Sequence, residues 1–370
     1  MVRGEIIKDG WNNADIADSF EHCLSCKACK SECPTQVDIA TYKAEFMAAH
    51  YENKQRPLNH YVFGYIGNVL HRLTRFSRLV NILQSGFTGR LSQKLLGLSD
   101  EKGLPVLARQ SFTHWAKTHA DRQDEQFYWF GNPNQPAAVL WADSVNNHYR
   151  PQLLQSTINV LLLSGRQVAV ARQHFCCGRP LYEYGFLTQA IKQLSSILDG
   201  FYASLPANAA VIVLEPSCLS VFKDELLRAF SDDIRAVDLG NRVRTVTGFL
   251  TDESIVPEKQ LKSGVLHLHC HDKSLAVSSD ERRWMTLCFE SLQEPESGCC
   301  GMAGTYGIKK KTRPIGQHLF KRRLLPAILD TGEETIVVAN GFSCFEQIID
   351  GVGHTGRRVM HPVEVIELCL

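Results

Sequence analysis

One stretch of the sequence indicates how the chain is built: Ser297-Gly298-Cys299-Cys300-Gly301-Met302-Ala303-Gly304-Thr305-Tyr306-Gly307. Thiolates on two neighbouring residues point in different directions unless a flexible backbone bends to bring both onto one centre. The four glycines permit the positive φ angles and the close backbone approach that such a bend needs. A shorter copy, Phe175-Cys176-Cys177-Gly178-Arg179-Pro180, lies upstream. The sequence therefore predicts one structural unit that occurs twice.

Composition and charge narrow the class of protein. The chain has 370 residues, 44% of them hydrophobic and 21% charged, and its formal net charge is +1, which gives no reason to expect a nucleic-acid partner. Neither a signal peptide nor a run of about 18 apolar residues is recognisable, so we expect a cytoplasmic protein, at most peripheral at the inner face of a membrane. In that compartment, thirteen cysteines indicate metal ligands or reactive thiols. Only Cys288 and Cys369 lie outside patterned groups.

A four-cysteine run near the N-terminus is the second strong signal: Cys23-Leu-Ser-Cys26-Lys-Ala-Cys29-Lys-Ser-Glu-Cys33-Pro34. It matches the bacterial ferredoxin pattern C-x2-C-x2-C-x3-C-P at every position and predicts a [4Fe–4S] cluster. Zinc is the main rival, although its ligand pairs usually come as two separated C-x2-C knuckles. In two-cluster ferredoxins the fourth cysteine binds the other cluster, and no second run occurs here. The fourth ligand is therefore Cys33, a remote cysteine or a residue of another polypeptide.

Residues 1–118 are predicted to form an all-helical, ferredoxin-like cluster module. Helices are expected over 12–22 and from Val37 to Tyr51, the second begun by Asp38. Between Glu52 and Asp100 the sequence has no acidic residue, and basic residues alternate there with aromatic and aliphatic ones. Such basic amphipathic helices either lie on an anionic membrane or a partner, or form a hairpin packed on the cluster module.

The rest of the chain reads as two tandem α/β units. Residues 119–136 are polar and predict a linker, followed by a first unit over 137–255 and a second over 256–370. Strands that alternate with helices predict parallel sheets. Cys218, Cys270 and Cys344 each follow a predicted strand, where open α/β sheets place their ligands. We therefore expect the thiols of each unit to converge.

The two units carry unequal cysteine sets. The second offers four metal ligands, Cys270, Cys299, Cys300 and Cys344, which suffice for a zinc ion or a second cluster. The first offers only three thiols, with Asp143 at the position of Cys270, and is interpreted as a degenerate copy. These three thiols are Cys176, Cys177 and Cys218.

Three histidines surround Cys270 in the sequence. Strand alternation places His267, His269 and His271 on one face of the predicted strand, where they serve either as metal or substrate contacts or as hydrogen-bonding groups at a strand end. No Walker motif, no G-x-S-x-G and no G-x-G-x-x-G after a strand occurs in the sequence. We therefore expect neither a flavin nor a nicotinamide site in this chain.

These residues carry a family resemblance that runs nearly from end to end. The chain resembles the iron–sulfur portion of FAD-linked D-2-hydroxyacid dehydrogenases of the D-2-hydroxyglutarate and D-lactate type. It also resembles the iron–sulfur subunits of glycolate oxidase, anaerobic glycerol-3-phosphate dehydrogenase and heterodisulfide reductase, which share a repeated CCG domain. Besides the four-cysteine run, the matching stretches are NNHYRP from Asn146, CCGRPLYEYG from Cys176, LEPSCLSVFKDEL from Leu214, HCHDKS from His269, SGCCGMAGTYG from Ser297 and GFSCFEQI from Gly341.

The resemblance implies an electron-transfer component that is not active alone. In this family a flavin oxidises the 2-hydroxy acid, and an iron–sulfur centre carries electrons to a quinone or another acceptor. FAD would then lie on a partner subunit or an upstream domain, and the chain would be either a separate subunit or the C-terminal piece of a longer protein. The missing part would also explain why no second four-cysteine run occurs here, and it leaves the source of the fourth cluster ligand open.

One departure from the family keeps two other functions open. CCG domains of the heterodisulfide reductase type end in C-x2-C, but here Glu215 and Gly341 replace the first cysteine of that pair. Reduction of a disulfide at such a site is therefore less favoured, although a thiol redox site remains one alternative. The other is a zinc-stabilised assembly subunit in which the four-cysteine run is the only redox centre.

Overall fold

The computed structural model describes residues 10–370. From residue 10 to residue 119 the regular structure is helical, and two predicted helices form here: α1 is capped by the Asn13 side chain and α3 by that of Asp38, which accepts from the Thr41 N–H at 3.0 Å. The α-helices of this segment are α1 (Ala14–Glu21), α2 (Ala28–Glu32), α3 (Ile39–His50), α4 (Leu58–Gly64), α5 (Ile66–Leu73), α6 (Ser77–Leu83), α7 (Gly86–Leu95) and α8 (Phe112–His119).

Six strands form the first sheet, in the order β1-β2-β4-β3-β5-β6. They are β1 (Arg122–Gln123), β2 (Phe127–Phe130), β3 (Ala137–Leu140), β4 (Gln167–Ala171), β5 (Ala210–Ile212) and β6 (Val243–Arg244). The strands β4-β3-β5-β6 are parallel, whereas β1 and β2 add an antiparallel edge.

The second sheet has four parallel strands in the order β8-β7-β9-β10. They are β7 (Leu261–His267), β8 (Phe289–Gln293), β9 (Ile336–Ala339) and β10 (Val359–Met360). The parallel part of the first sheet has the same order, so β3, β4, β5 and β6 correspond to β7, β8, β9 and β10. The predicted α/β repeat is therefore confirmed.

Helices connect the strands of both sheets. Three stretches of π-helix continue or join them, at Ile197–Tyr202, Val221–Glu225 and Phe320–Leu324. The α-helices are α9 (Ser144–Tyr149), α10 (Pro151–Leu163), α11 (Arg179–Glu183), α12 (Leu187–Ser196), α13 (Pro216–Ser220), α14 (Leu226–Ala229), α15 (Ile234–Arg242), α16 (Val246–Asp252), α17 (Cys270–Ser274), α18 (Ser278–Cys288), α19 (Arg313–Leu319), α20 (Leu325–Leu329), α21 (Phe342–Val352) and α22 (Pro362–Cys369).

The largest hydrophobic core contains residues of both units. It contains Leu140 from the first sheet and Val338 from the second, together with Leu154 of α10 and Ile366 of α22. Since α10 and α22 belong to different units and pack on each other, the two sheets bury their facing sides together. Neither unit has a closed core of its own on this side.

The expectation of a linker over residues 119–136 is wrong. The polar stretch is interrupted by β2, whose four residues Phe127-Tyr128-Trp129-Phe130 are all buried. This strand pairs with β4, a partner that is distant in sequence, so the polar flanks concealed it. None of the helices in residues 10–370 is long and apolar enough to cross a membrane.

Candidate metal centres

The first three cysteines of the four-cysteine run line one open cavity of about 550 Å³. Cys23 and Cys26 precede α2, and Cys29 lies within it, while Phe20 of α1 and Ile39 of α3 close the sides of the cavity. Two backbone N–H groups point at the sulfurs: that of Ser25 lies 3.4 Å from Sγ of Cys23, and that of Ile39 lies 3.3 Å from Sγ of Cys29. Such N–H donors stabilise negative charge on thiolate sulfur.

The backbone of this run turns its carbonyl oxygens away from the sulfurs. Ser25 and Lys27 have φ angles of 54° and 60°, in the left-handed region, and these let the chain wrap around the cavity. The outward carbonyl oxygens are bound by the two α/β units: the Ser25 oxygen accepts from Arg179 at 2.8 Å, and the Cys26 oxygen accepts from the Ser274 hydroxyl at 2.9 Å. Contacts distant in sequence therefore hold the run in this shape.

Cys33 lies outside the cavity that the other three thiols line. Its Sγ is 3.2 Å from the Thr35 hydroxyl, and this hydrogen bond lowers the pKa of the Cys33 thiol. The structure thus brings together Cys23, Cys26 and Cys29 around one cavity and leaves the fourth thiol outside it.

In the second unit, four cysteines from three segments converge as their positions predict. Cys270 is the first residue of α17 and Cys344 the third residue of α21, at the ends of neighbouring strands. Cys299 lies next to Cys270, and Cys300 lies next to Cys344. The neighbouring Cys299 thiol, together with burial, raises the pKa of Cys270. Unliganded thiols here are therefore protonated near pH 7, and a bound metal would have to displace those protons.

Glycines allow the adjacent cysteines to turn, as the sequence suggests. Gly301 has a φ of 84°, and a Cβ at this position would lie 2.0 Å from the carbonyl oxygen of Gly316. A Cβ on Gly307 would lie 2.7 Å from Sδ of Met302. The bend after Cys300 therefore requires glycine, both for its φ angle and for its close approach to α19.

The three histidines around Cys270 do not share one strand face, because β7 ends at His267. One ring nitrogen of His267 lies within 4.8 Å of the thiols of Cys300 and Cys344, so this residue adds a nitrogen to the site. His269 caps α17 by accepting from the His271 N–H. His271 lies in α17 and contacts the Ser25 carbonyl oxygen at 3.0 Å.

The first unit reproduces this arrangement with one thiol replaced. Sγ of Cys218 lies 3.1 Å from Sγ of Cys177, and Cys176 lies next to Cys177. The position of Cys270, the first helical residue after the leading strand, is occupied by Ser144. The assignment of Asp143 to that position is therefore wrong: Asp143 caps α9 as His269 caps α17. The first unit offers three thiols and a hydroxyl, which is a poor set for a four-thiolate centre.

An apolar cavity of about 220 Å³ lies between the cysteines of the first unit and those of the second unit. Cys177 and Cys218 line it from the first unit and Cys270 from the second, and Asp143 and Glu215 add two carboxyl groups. Burial, with a smaller contribution from Glu215, raises the pKa of Asp143 to about 7. The Asp143 carboxyl group can therefore carry a proton close to these thiols.

A buried charge network fixes the four-cysteine run to the first unit. Lys27, only 2% exposed, lies 2.5 Å from Asp224 and from Glu225, and Arg179 donates to Glu225 at 2.6 Å. Two buried cations are thus paired with two buried carboxylates, as their burial requires. Sequence reasoning missed this network, although Arg179 directly follows Cys177-Gly178. It also missed Ser144, because Ser144 comes four residues after the end of β3, whereas Cys270 comes three residues after the end of β7.

Both α/β units match a known protein domain. The description "Cysteine-rich domain", CCG, matches residues 143–223 and 282–349, which contain six of the seven cysteines in the sets of the two units, all but Cys270. Two separate segments of the chain thus match the CCG domain. The first match begins at Asp143, the cap of α9, and the second ends at residue 349, within α21.

The chain is similar to a dehydrogenase, to a dehydrogenase subunit and to a lactate utilization protein. The chain is 24% identical to D-2-hydroxyglutarate dehydrogenase of Pseudomonas putida over 95% of its own length, and it spans about a third (34%) of that relative. It is 26% identical to one subunit of the anaerobic glycerol-3-phosphate dehydrogenase of Escherichia coli, over 87% of this chain and 80% of the relative. Lactate utilization protein A of Bacillus subtilis is 25% identical over 61% of this chain and 97% of the relative. These matches confirm the resemblance to the iron–sulfur portion of FAD-linked dehydrogenases.

Proposed function

We propose that this chain is the iron–sulfur electron-transfer component of a flavin-dependent 2-hydroxyacid dehydrogenase. FAD would lie on a partner subunit or on a domain outside this sequence, and electrons would leave to a quinone or a similar acceptor. The names of the relatives support a dehydrogenase system, and the CCG pair supports metal-dependent redox chemistry. The observation that carries the proposal is the single cavity lined by Cys23, Cys26 and Cys29.

The residues at this cavity fit a [4Fe–4S] cluster, which would supply one-electron transfer when bound. Cys23, Cys26 and Cys29 would hold three irons, and Cys33 is the remaining candidate within the run for the fourth. The N–H groups of Ser25 and Ile39 would stabilise charge on the sulfurs. Phe20 and Ile39 would limit access of water.

We place a second metal centre at Cys270, Cys299, Cys300 and Cys344. Cys270 is close enough to Cys26, and Cys299 close enough to Tyr306 beside Cys23, for their charges to interact. The two centres would therefore be neighbours, as an electron path requires. The nearby nitrogen of His267 also suits zinc, so the second candidate function is a zinc-stabilised assembly subunit with one redox cluster.

A membrane surface is the proposed location of the acceptor. Helices α6 and α7, with the turn before α6, expose Phe76, Leu79, Ile82, Phe87 and Leu95. Exposed basic residues flank this apolar set, and the sequence from Asn53 to Ser99 contains no carboxylate that would repel an anionic lipid. We call the patch formed by these five side chains the basic–apolar face.

The proposal predicts that Cys26→Ser removes the cluster from the four-cysteine run. A serine hydroxyl is a poor iron ligand, so the reduced protein should lose the electron paramagnetic resonance signal of this cluster, along with its iron and acid-labile sulfide. The matched control is Cys369→Ala, which removes a thiol outside the four-cysteine run and outside the cysteine sets of both units. This variant should keep the signal. If Cys26→Ser retains the signal and the iron of the parent, the assignment of the run is wrong.

A further inference from the structure

Three histidines outside the cysteine groups meet where the N-terminal helices pack on the first unit. His71 lies in α5, His148 in α9 and His174 in the segment after β4. One ring nitrogen of each lies within 4.8 Å of those of the other two. The rings of His71 and His174 are also stacked, with centroids 4.5 Å apart. Three segments distant in sequence thus bring imidazole nitrogens within 4.8 Å of one another.

The hydrogen bonds of Thr74 orient the ring of His148. The Thr74 hydroxyl donates its only proton to the Leu70 carbonyl oxygen at 2.8 Å. Its oxygen lies 2.7 Å from Nδ1 of His148 and can therefore only accept there. Nδ1 of His148 consequently carries the ring proton, and Nε2 keeps a lone pair. Metal-binding histidines are typically oriented in this way by a partner on the other ring nitrogen.

The other two rings leave the site available to a ligand. Nε2 of His174 is buried and has no hydrogen-bond partner within residues 10–370. Native proteins rarely leave such an atom unpaired unless a water or an ion binds it. The only contact of Nε2 of His148 in the same part of the chain is the Asn147 amide at 3.4 Å, which is a weak hydrogen bond. His71 is exposed, so an ion could enter from solvent.

We propose that His71, His148 and His174 form a binding site for a divalent transition metal, with Zn²⁺ as the expected ion. Three neutral imidazoles with one water complete a tetrahedral zinc site, whereas Mg²⁺ and Ca²⁺ prefer oxygen ligands. The ion would tie α5 to α9 and to the segment that leads into Cys176. The site is separate from both proposed centres and does not depend on the electron-transfer function.

Cobalt(II) is the probe for this site, since it replaces zinc and absorbs visible light in tetrahedral coordination. The anaerobically purified full chain should bind one Co²⁺ that Zn²⁺ displaces, without the strong near-ultraviolet absorption that a thiolate ligand adds. His71→Ala should weaken this binding by at least about 10-fold. His114→Ala, at an exposed position on α8, is the matched control and should bind as the parent does.

A second variant tests the orientation of His148. Thr74→Ala removes the acceptor of the Nδ1 proton and should weaken Co²⁺ binding about 10- to 100-fold. Added Zn²⁺ should also raise the melting temperature of the parent and of His114→Ala, but not that of His71→Ala. Equal Co²⁺ binding by His71→Ala and the parent would overturn the proposal. A cobalt spectrum in which every band shows thiolate character would do so as well.

Discussion

At the scale of single residues, three buried carboxyl groups hold their protons unusually tightly. Burial raises the pKa of Asp143 and of Asp272 to about 7 and that of Glu281 to about 8. A carboxyl group with a raised pKa in the folded state stabilises the fold at low pH. That contribution is complete below the pKa of the unfolded chain, near 4. It is lost as the pH rises through the folded pKa.

Glu281→Gln should therefore reduce the loss of stability between about pH 4.5 and pH 8. The Thr247 hydroxyl donates to Glu281 at 2.7 Å, and the glutamine amide oxygen can still accept that hydrogen bond. Relative to the parent, the variant should gain on the order of a few kcal/mol in free energy of unfolding at pH 8.5. Denaturant unfolding at pH 5 and pH 8.5 measures this gain. Glu290→Gln, an exposed control, should follow the parent, and an unchanged pH profile for Glu281→Gln would contradict the argument.

At the scale of elements, local signals could be read from the sequence and long-range ones could not. Asp38 marks the start of α3 because capping depends on a few neighbouring residues. Strand β2 was missed because β4, the strand that pairs with all four of its residues, is distant in sequence. Strand β8 depends in the same way on β7, the strand that pairs with it.

The basic–apolar face gives a prediction at this scale. Phe87 is 81% exposed and Ile82 66% exposed, and burying such side chains in a bilayer interface is favourable. The parent should sediment with anionic phosphatidylglycerol vesicles more than with neutral phosphatidylcholine vesicles. Phe87→Asp should weaken this binding by about 10-fold or more, since an apolar contact becomes a negative charge.

An exposed residue elsewhere provides the control for the basic–apolar face. Ile234 is 76% exposed on α15, and Ile234→Asp replaces an exposed apolar side chain with the same charge, away from α6 and α7. It should bind vesicles as the parent does. Equal binding of Phe87→Asp and the parent, or no binding of the parent to either lipid, would contradict the proposal that the acceptor lies at a membrane surface.

At the scale of the whole molecule, the repeat explains both what the sequence revealed and what it concealed. Strand ends and the adjacent cysteines were enough to predict that Cys270, Cys300 and Cys344 converge, because parallel strands align their carboxyl ends. The docking of the four-cysteine run on α17 could not be read in advance. It depends on Arg179 and Ser274, which are distant from the run in sequence.

The repeat also supplies a matched pair of variants for the last prediction. Cys300 and Cys177 are each the second cysteine of a CCG run and are similarly buried, but only Cys300 belongs to a set of four thiols. Cys300→Ser should therefore release the metal of the second unit, whereas Cys177→Ser should keep it. Iron, acid-labile sulfide and zinc per chain, counted after anaerobic purification, measure the difference. A loss of about four irons and four sulfides identifies a cluster, and a loss of zinc identifies the assembly function. Equal metal contents in both variants would show that the second unit holds no centre.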